Sequence, residues 1–270
     1  MKKLHWLQAG LIFLISFTFQ QSIQAQLSEE ELARIAQNPL ANLMSIPIQN
    51  NFNTGMGLSD RTQYIMNFQP VIPFAEGKVI TRLIVPFVSQ PDLFRENGAT
   101  TGFSDINLTA FYTTSLGEAK IGIGSIINFP TAKEGLGAQE WGLGPSLVAV
   151  IKPGNFVMGA LVNNVWSVES DAINQLLIQC FVNYNLPSGT YLTTAPAITA
   201  NWNARPNNRW TIPLGMGLGK VFKLGGKLPV NVQGGAYYNV ERPALTGAEW
   251  SFKFGATLLL PTALFKKGNS

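Results

Sequence analysis

The chain reads as all-β: a transmembrane antiparallel up-and-down β-barrel of about twelve strands, preceded by a short N-terminal helix. Three observations predict this. Apolar and polar residues alternate over long stretches, as in VNVQGGAYYNVE (230–241), where Val230, Val232, Ala236, Tyr238 and Val240 share one parity and Asn231, Gln233, Tyr237, Asn239 and Glu241 the other. Connections alternate between tight turns and longer polar loops. Only 13% of residues are charged while 46% are hydrophobic, well below the charge an exported domain keeps on a surface facing water.

The elements follow in order. Lys2 and Lys3, the apolar run AGLIFLISFTF (9–19) and the ending Ile23-Gln24-Ala25 have the form of a secretory signal peptide over 1–25. The run is too short for a spanning helix, which needs about 20 residues. Residues 26–44 form a periplasmic preamble or plug: Ser28 and Glu31 fit a capping box, and Leu32, Ile35 and Ala36 follow on one helical face. The helix near 28–37 is expected to plug or cover the periplasmic mouth. The barrel occupies 45–265 and a short tail 266–270.

Twelve strands are predicted at 45–57, 61–74, 78–90, 103–115, 119–131, 141–152, 155–168, 173–186, 190–203, 208–223, 228–242 and 249–264. They recur about every 18 residues, against the 8–12 of soluble sandwiches. Tight turns follow the even strands, as at Ala75-Glu76-Gly77, Pro153-Gly154 and Leu224-Gly225-Gly226-Lys227. Longer loops follow several odd ones, as at 91–102, 131–140, 203–209 and 242–249. Trp141, Trp166, Trp202, Trp210 and Trp250 stand beside those loops, where an interfacial girdle belongs.

The polar parity supplies the candidate lumen lining: Gln49, Asn51, Asn53, Asn67, Gln69, Arg82, Gln179, Asn183, Asn185, Asn231, Gln233, Asn239, Glu241 and Lys253. Arg82 and Lys253 are expected to point inward, because a charge facing lipid at midplane costs about 2–4 kcal/mol. They either bind solute or pair with an acid such as Glu241 or Asp105. GMGLGK (215–220) lacks the hydroxyl residue of a phosphate loop, Val221 following Lys220, and reads as a strand with inward glycines. Those glycines leave room for solute or for the helix.

Five prolines, Pro70, Pro86, Pro145, Pro196 and Pro213, fall inside strands, each removing a ladder donor. Two readings follow. Local bulges shape the wall there, or the seam where Pro70 faces residue 83 and Pro86 faces residue 67 kinks into a side opening.

Cys180 is the only cysteine, so no intrachain disulfide forms. The single histidine, His5, lies in the leader, so imidazole-based catalysis and histidine metal sites are not expected. The chain is expected to be no enzyme, with no catalytic residues, cofactor or metal. Of 19 Lys and Arg, Lys2 and Lys3 belong to the leader, leaving 17 against 15 Asp and Glu; nucleic acid is not an expected partner.

The stretches NPLANLMSIPIQNNFN (38–53), TQYIMNFQPVIPF (62–74), ITRLIVPFVSQPD (80–92), ALVNNVWS (160–167), CFVNYNLPSGTYLTTAPAITANW (180–202) and RWTIPLGMGLGKVFKL (209–224) resemble a bacterial outer-membrane barrel family labelled transporters or phenol-degradation meta-pathway proteins. The resemblance implies an outer-membrane barrel and suggests transport of small compounds, apolar or aromatic ones among them. The expectation is therefore a porin-like channel in the cell outer membrane of a Gram-negative bacterium, passing small-molecule solutes passively. Its partners would be outer-membrane lipid, lipopolysaccharide and the barrel-assembly machinery. The alternative is a non-conducting structural or adhesive barrel.

Overall fold

A computed structural model describes residues 27–95 and 97–260; the predicted leader, the tail and the end of the last predicted strand lie outside the described residues. One short helix, α1 (Glu29–Ala36), precedes fifteen strand segments. These are β1 (Met44–Met56), β2 (Arg61–Phe68), β3 (Val71–Phe74), β4 (Val79–Pro91), β5 (Ala99–Phe103), β6 (Ile106–Leu116), β7 (Ala119–Phe129) and β8 (Gly142–Ile151). They continue as β9 (Phe156–Ser167), β10 (Asn174–Asn185), β11 (Thr190–Thr194), β12 (Ala197–Asn201), β13 (Trp210–Leu224), β14 (Leu228–Glu241) and β15 (Trp250–Leu260). Three pairs of segments, β2/β3, β5/β6 and β11/β12, are single staves with a break, so the sheet is a closed antiparallel barrel of twelve strands. The last strand returns to the first in register from Met44↔Leu260 to Thr54↔Trp250. Closure leaves no backbone edge unpaired, which is what a chain crossing lipid with strands requires. Among the described residues no helix is long and apolar enough to cross a membrane.

Alternation decides the two faces. Along β8, Ser146 and Val148 are buried inside while Leu143 and Leu147 between and beside them stand about half exposed outside. The same parity puts Tyr112, Ile123, Leu214, Met216, Leu218 and Phe254 on the outer surface. An outward apolar band of this extent suits hydrocarbon and would be a large liability in water. In the stretch 230–241, Val232, Tyr238 and Val240 face outward, while Asn231, Tyr237 and Asn239 are buried within. Aromatic pairs mark both rims. Phe129–Trp141, Tyr238–Trp250 and Trp202–Trp210 lie at the long-loop end, with ring centroids 5.2, 5.1 and 5.5 Å apart, and Phe156–Tyr184 lies at the short-turn end. Cys180 is on the outer surface.

The prolines sort into distinct solutions. Pro70 interrupts the stave as β2/β3, yet Asn67↔Pro86 and Val71↔Arg82 keep one register across the break. Across that seam the Pro70 carbonyl accepts the Leu83 N–H at 3.0 Å; on the other side of the stave, the Pro47 carbonyl of β1 accepts the Gln69 N–H at 2.9 Å. That seam is stitched shut, so the side opening is not present. Pro86 sits opposite the β5/β6 break, where the register slips by one residue between Phe87↔Phe103 and Ile84↔Asn107. Pro213 stands at another shift, Pro196 at an in-register break, and Pro145 inside β8 opposite Ser125. The missing donors are absorbed by bulges and local breaks.

Candidate channel lumen

The interior is built from the N-terminal segment upward. Ser28 Oγ accepts the Glu31 N–H at 3.1 Å and Glu31 Oε2 accepts the Ser28 N–H at 2.8 Å, the reciprocal cap anticipated for α1. Leu32 and Ala33, one turn-face of this helix, are buried against Tyr191, Val221 and Leu259 of the inner wall. Asn38 Oδ1 then accepts the Leu40 N–H at 3.0 Å, turning the chain so that Leu40 enters a pocket of Ile80, Phe111, Val148, Val150, Val157 and Leu161. Leu40 is fully buried. Gly122 makes this fit: a Cβ there would lie 3.0 Å from Leu40 Cδ2 and 2.8 Å from Val148 Cγ1. Gly219 does the same for Tyr191, whose ring would be 2.1 Å from an added Cβ.

Polar ties join this segment to the short-turn end of the barrel. Gln37 and Asn185 exchange amide hydrogen bonds at 2.9 and 3.1 Å. Lys120 Nζ donates to the Leu40 carbonyl at 2.5 Å, and Lys223 Nζ to the Leu27 carbonyl at 2.8 Å. Glu30 Oε1 accepts the Ser188 N–H at 2.5 Å. Backbone N–H groups, its own first and then that of Ser188, hold the Glu30 carboxyl below its ordinary pKa. Docked Glu30 binds its proton less readily than free Glu30, so this tie is present above the ordinary carboxylate range and lost as pH falls through the lowered value. Hydrogen-exchange protection of the α1 amides, corrected for intrinsic rate, should therefore drop as pH falls from the ordinary carboxylate range through the lowered value. Glu30→Gln should remove that dependence; an unchanged profile in the variant would assign it elsewhere.

Above the segment lies a cavity of about 230 Å³. Ala36, Asn38 and Leu43 form its floor, and Gln49, Gln69, Arg82, Gln179, Asn183, Asn231 and Gln233 are its polar lining. Val71, Ile80, Phe111, Leu161 and Phe181 stand among them as apolar lining. It shares Gln49, Gln179, Thr193, Ala195 and Gln233 with a narrower space of about 60 Å³ bounded by Tyr237 and Lys253. Two further hollows, of about 490 and 330 Å³, lie among residues at the loop end.

The structure thus brings eight of the fourteen predicted residues around the two central spaces. The remaining six have other positions. Asn51 donates to the Ile65 carbonyl at 3.2 Å; Asn53 donates to Gln63 at 2.8 Å and accepts from Ser251 at 2.8 Å. Asn67 lies opposite Gln49 in the ladder, Asn185 holds Gln37, and Asn239 donates to the Ala248 carbonyl at 2.8 Å. Glu241 is exposed at the loop end.

Of the two readings for Arg82 and Lys253, pairing with an acid does not occur among the described residues. Asp105 instead organises the loop over 131–139, its carboxylate accepting the N–H groups of Thr131, Ala132, Ala138 and Gln139 at 2.7–3.1 Å. Arg82 Nη2 donates to Gln69 Oε1 at 2.6 Å. Lys253 Nζ lies 3.4 Å from the Ala195 carbonyl and 4.4 Å from the Tyr237 ring centroid. Sequence reasoning passed over Tyr191, Thr193 and Tyr237. Tyr191 donates to Asn231 Oδ1 at 2.8 Å and Gln233 Oε1 at 3.2 Å; its shared parity with Thr193 was the available signal.

No protein-family model matches the chain, and no curated protein matches it. Among solved structures it is similar to an outer membrane channel from Pseudomonas putida F1, at 16% identity over 81% of this chain and 96% of that chain, with a TM-score of 0.59. It is also similar to the NanC porin, at 10% identity over 79% and 98% of the two chains, with a TM-score of 0.54. The fold is that of the outer-membrane β-barrels. The expectation that the chain is no enzyme is corrected by a third likeness, to outer membrane phospholipase A from Escherichia coli, at 10% identity over 80% and 89% of the chains with a TM-score of 0.41.

Proposed function

We propose that the protein is an outer-membrane channel passing small solutes passively, with its short-turn end in the periplasm and the segment 27–43 seated there as a plug. The observation that carries this reading is the adjoining pair of amide-lined spaces at the centre of a closed barrel whose outer surface is apolar. Water-filled interiors are kept in barrels that conduct, whereas structural barrels of small strand number fill theirs with side chains. Outer-membrane lipid and lipopolysaccharide would meet the apolar belt, and the barrel-assembly machinery would insert the chain. The apolar residues in the lining of the central cavity support the apolar or aromatic solute suggested by the sequence resemblance.

Isosmotic swelling of proteoliposomes tests this. The full chain should admit small neutral solutes above the lipid background, with rates falling steeply once a solute exceeds about a monosaccharide in size, as a narrow lumen demands. Background swelling for every solute, with or without residues 27–43, would favour the non-conducting barrel instead.

A further inference from the structure

Arg82 and Lys253 border the two central spaces of this barrel. Among the described residues, neither Arg82 nor Lys253 has a carboxylate within ion-pair distance. No acidic side chain lines either central space. Arg82 has one protein acceptor, the Gln69 amide oxygen, for a guanidinium that presents five N–H donors in a fixed fork. Holding a half-buried guanidinium on the inner wall without an anion costs desolvation free energy, and a hydrophobic replacement would avoid that cost. An intramembrane charge kept in this way points to a ligand. The surroundings narrow the class. Beside Arg82 the cavity wall is apolar, with Val71, Ile80 and Phe111, and across from it stand the neutral donors and acceptors Gln179, Asn231 and Gln233. Lys253 borders the narrower space that joins this cavity.

We propose that the central cavity is a binding subsite for a small organic carboxylate with an apolar body. The carboxylate takes the open N–H groups of Arg82, the geometry that an arginine fork recognises best. The apolar body lies against Ile80 and Phe111. Lys253 draws the anion through the neck without holding it. This names the solute class of the channel and so builds on that reading, but it is tested by binding and not by permeation.

Benzoate, benzamide and benzamidine share one shape and carry charges of −1, 0 and +1 at neutral pH, so they serve as probes. Calorimetric titration of the full barrel in detergent, against a micelle blank, should show benzoate binding at least tenfold more tightly than benzamide, and benzamidine not binding. Arg82→Gln should abolish the preference for benzoate, and Arg82→Lys should restore part of it. Lys253→Gln, a second variant in a different strand, should slow benzoate entry while changing its affinity by less than threefold. Retention of heat-modifiable migration on gels shows that each variant is folded. Equal affinity for benzoate and benzamide in the wild-type barrel would overturn the proposal, as would an Arg82→Gln barrel that binds benzoate unchanged. A barrel that binds benzoate selectively yet passes no solute would leave this subsite standing and remove the channel reading.

Discussion

Gly144→Ala should prevent the barrel from closing. A Cβ at position 144 would sit 1.6 Å from the Asn164 carbonyl oxygen and 2.7 Å from its carbon, where carbon and oxygen in non-bonded contact normally keep about 3.3–3.6 Å apart. The obstacle is backbone of the neighbouring strand β9, so no rotamer change relieves it. Pro145 follows immediately and already withholds a ladder donor. Moving β9 away would break its pairing with β8 on one side and with β10 on the other. Overpacking of side chains alone costs about 1–3 kcal/mol, and a backbone clash exceeds that. The variant should lose the heat-modifiable folded band on gels and the β-rich circular dichroism in detergent. Gly255→Ala is the matched control. Its added methyl would meet nothing closer than Gln233 Cγ at 3.4 Å, and the barrel should fold. A stable, folded Gly144→Ala barrel would mean that the wall is less tightly coiled at β8 and β9 than the geometry shows.

Removing residues 27–43 should open the lumen. The segment contributes Leu32, Ala33 and Leu40 to the buried apolar clusters and forms the floor of the central cavity. Without it, Ile80, Phe111, Tyr191 and Leu259 line a water-filled short-turn end. The barrel itself survives, because the ladder from β1 to β15 is complete without α1. Conductance should rise by about fivefold or more, because a small barrel filled from within becomes an open one.

Most of this fold was legible in the sequence because a barrel strand writes its two environments directly into alternate residues. Ser146 against Leu147 and Asn231 against Val232 are read at once. Tight turns were equally legible, since Gly225 and Gly226 adopt the positive φ that their turn requires. The lumen was read less well for a physical reason. Parity tells which residues face inward but not what they meet there. Ile80, Phe111, Val148 and Val157 face inward as apolar residues because a distant segment, centred on Leu40, packs on them. Tyr191 was hidden for the same reason: its ring fills space left by Gly219, one strand away. Asp105 looked like a partner for lumen cations because its strand position suggested it, whereas four loop N–H groups claim both carboxylate oxygens. Such long-range polar assignments depend on loop folding that no local pattern encodes.

The measurement that bears most directly on the central claim is single-channel current in planar bilayers, recorded from the full chain and from the chain lacking residues 27–43. The account predicts discrete, small current steps from the full chain and steps about fivefold larger or more from the shortened one. Electrical silence from both, in preparations that retain heat-modifiable migration, would contradict it.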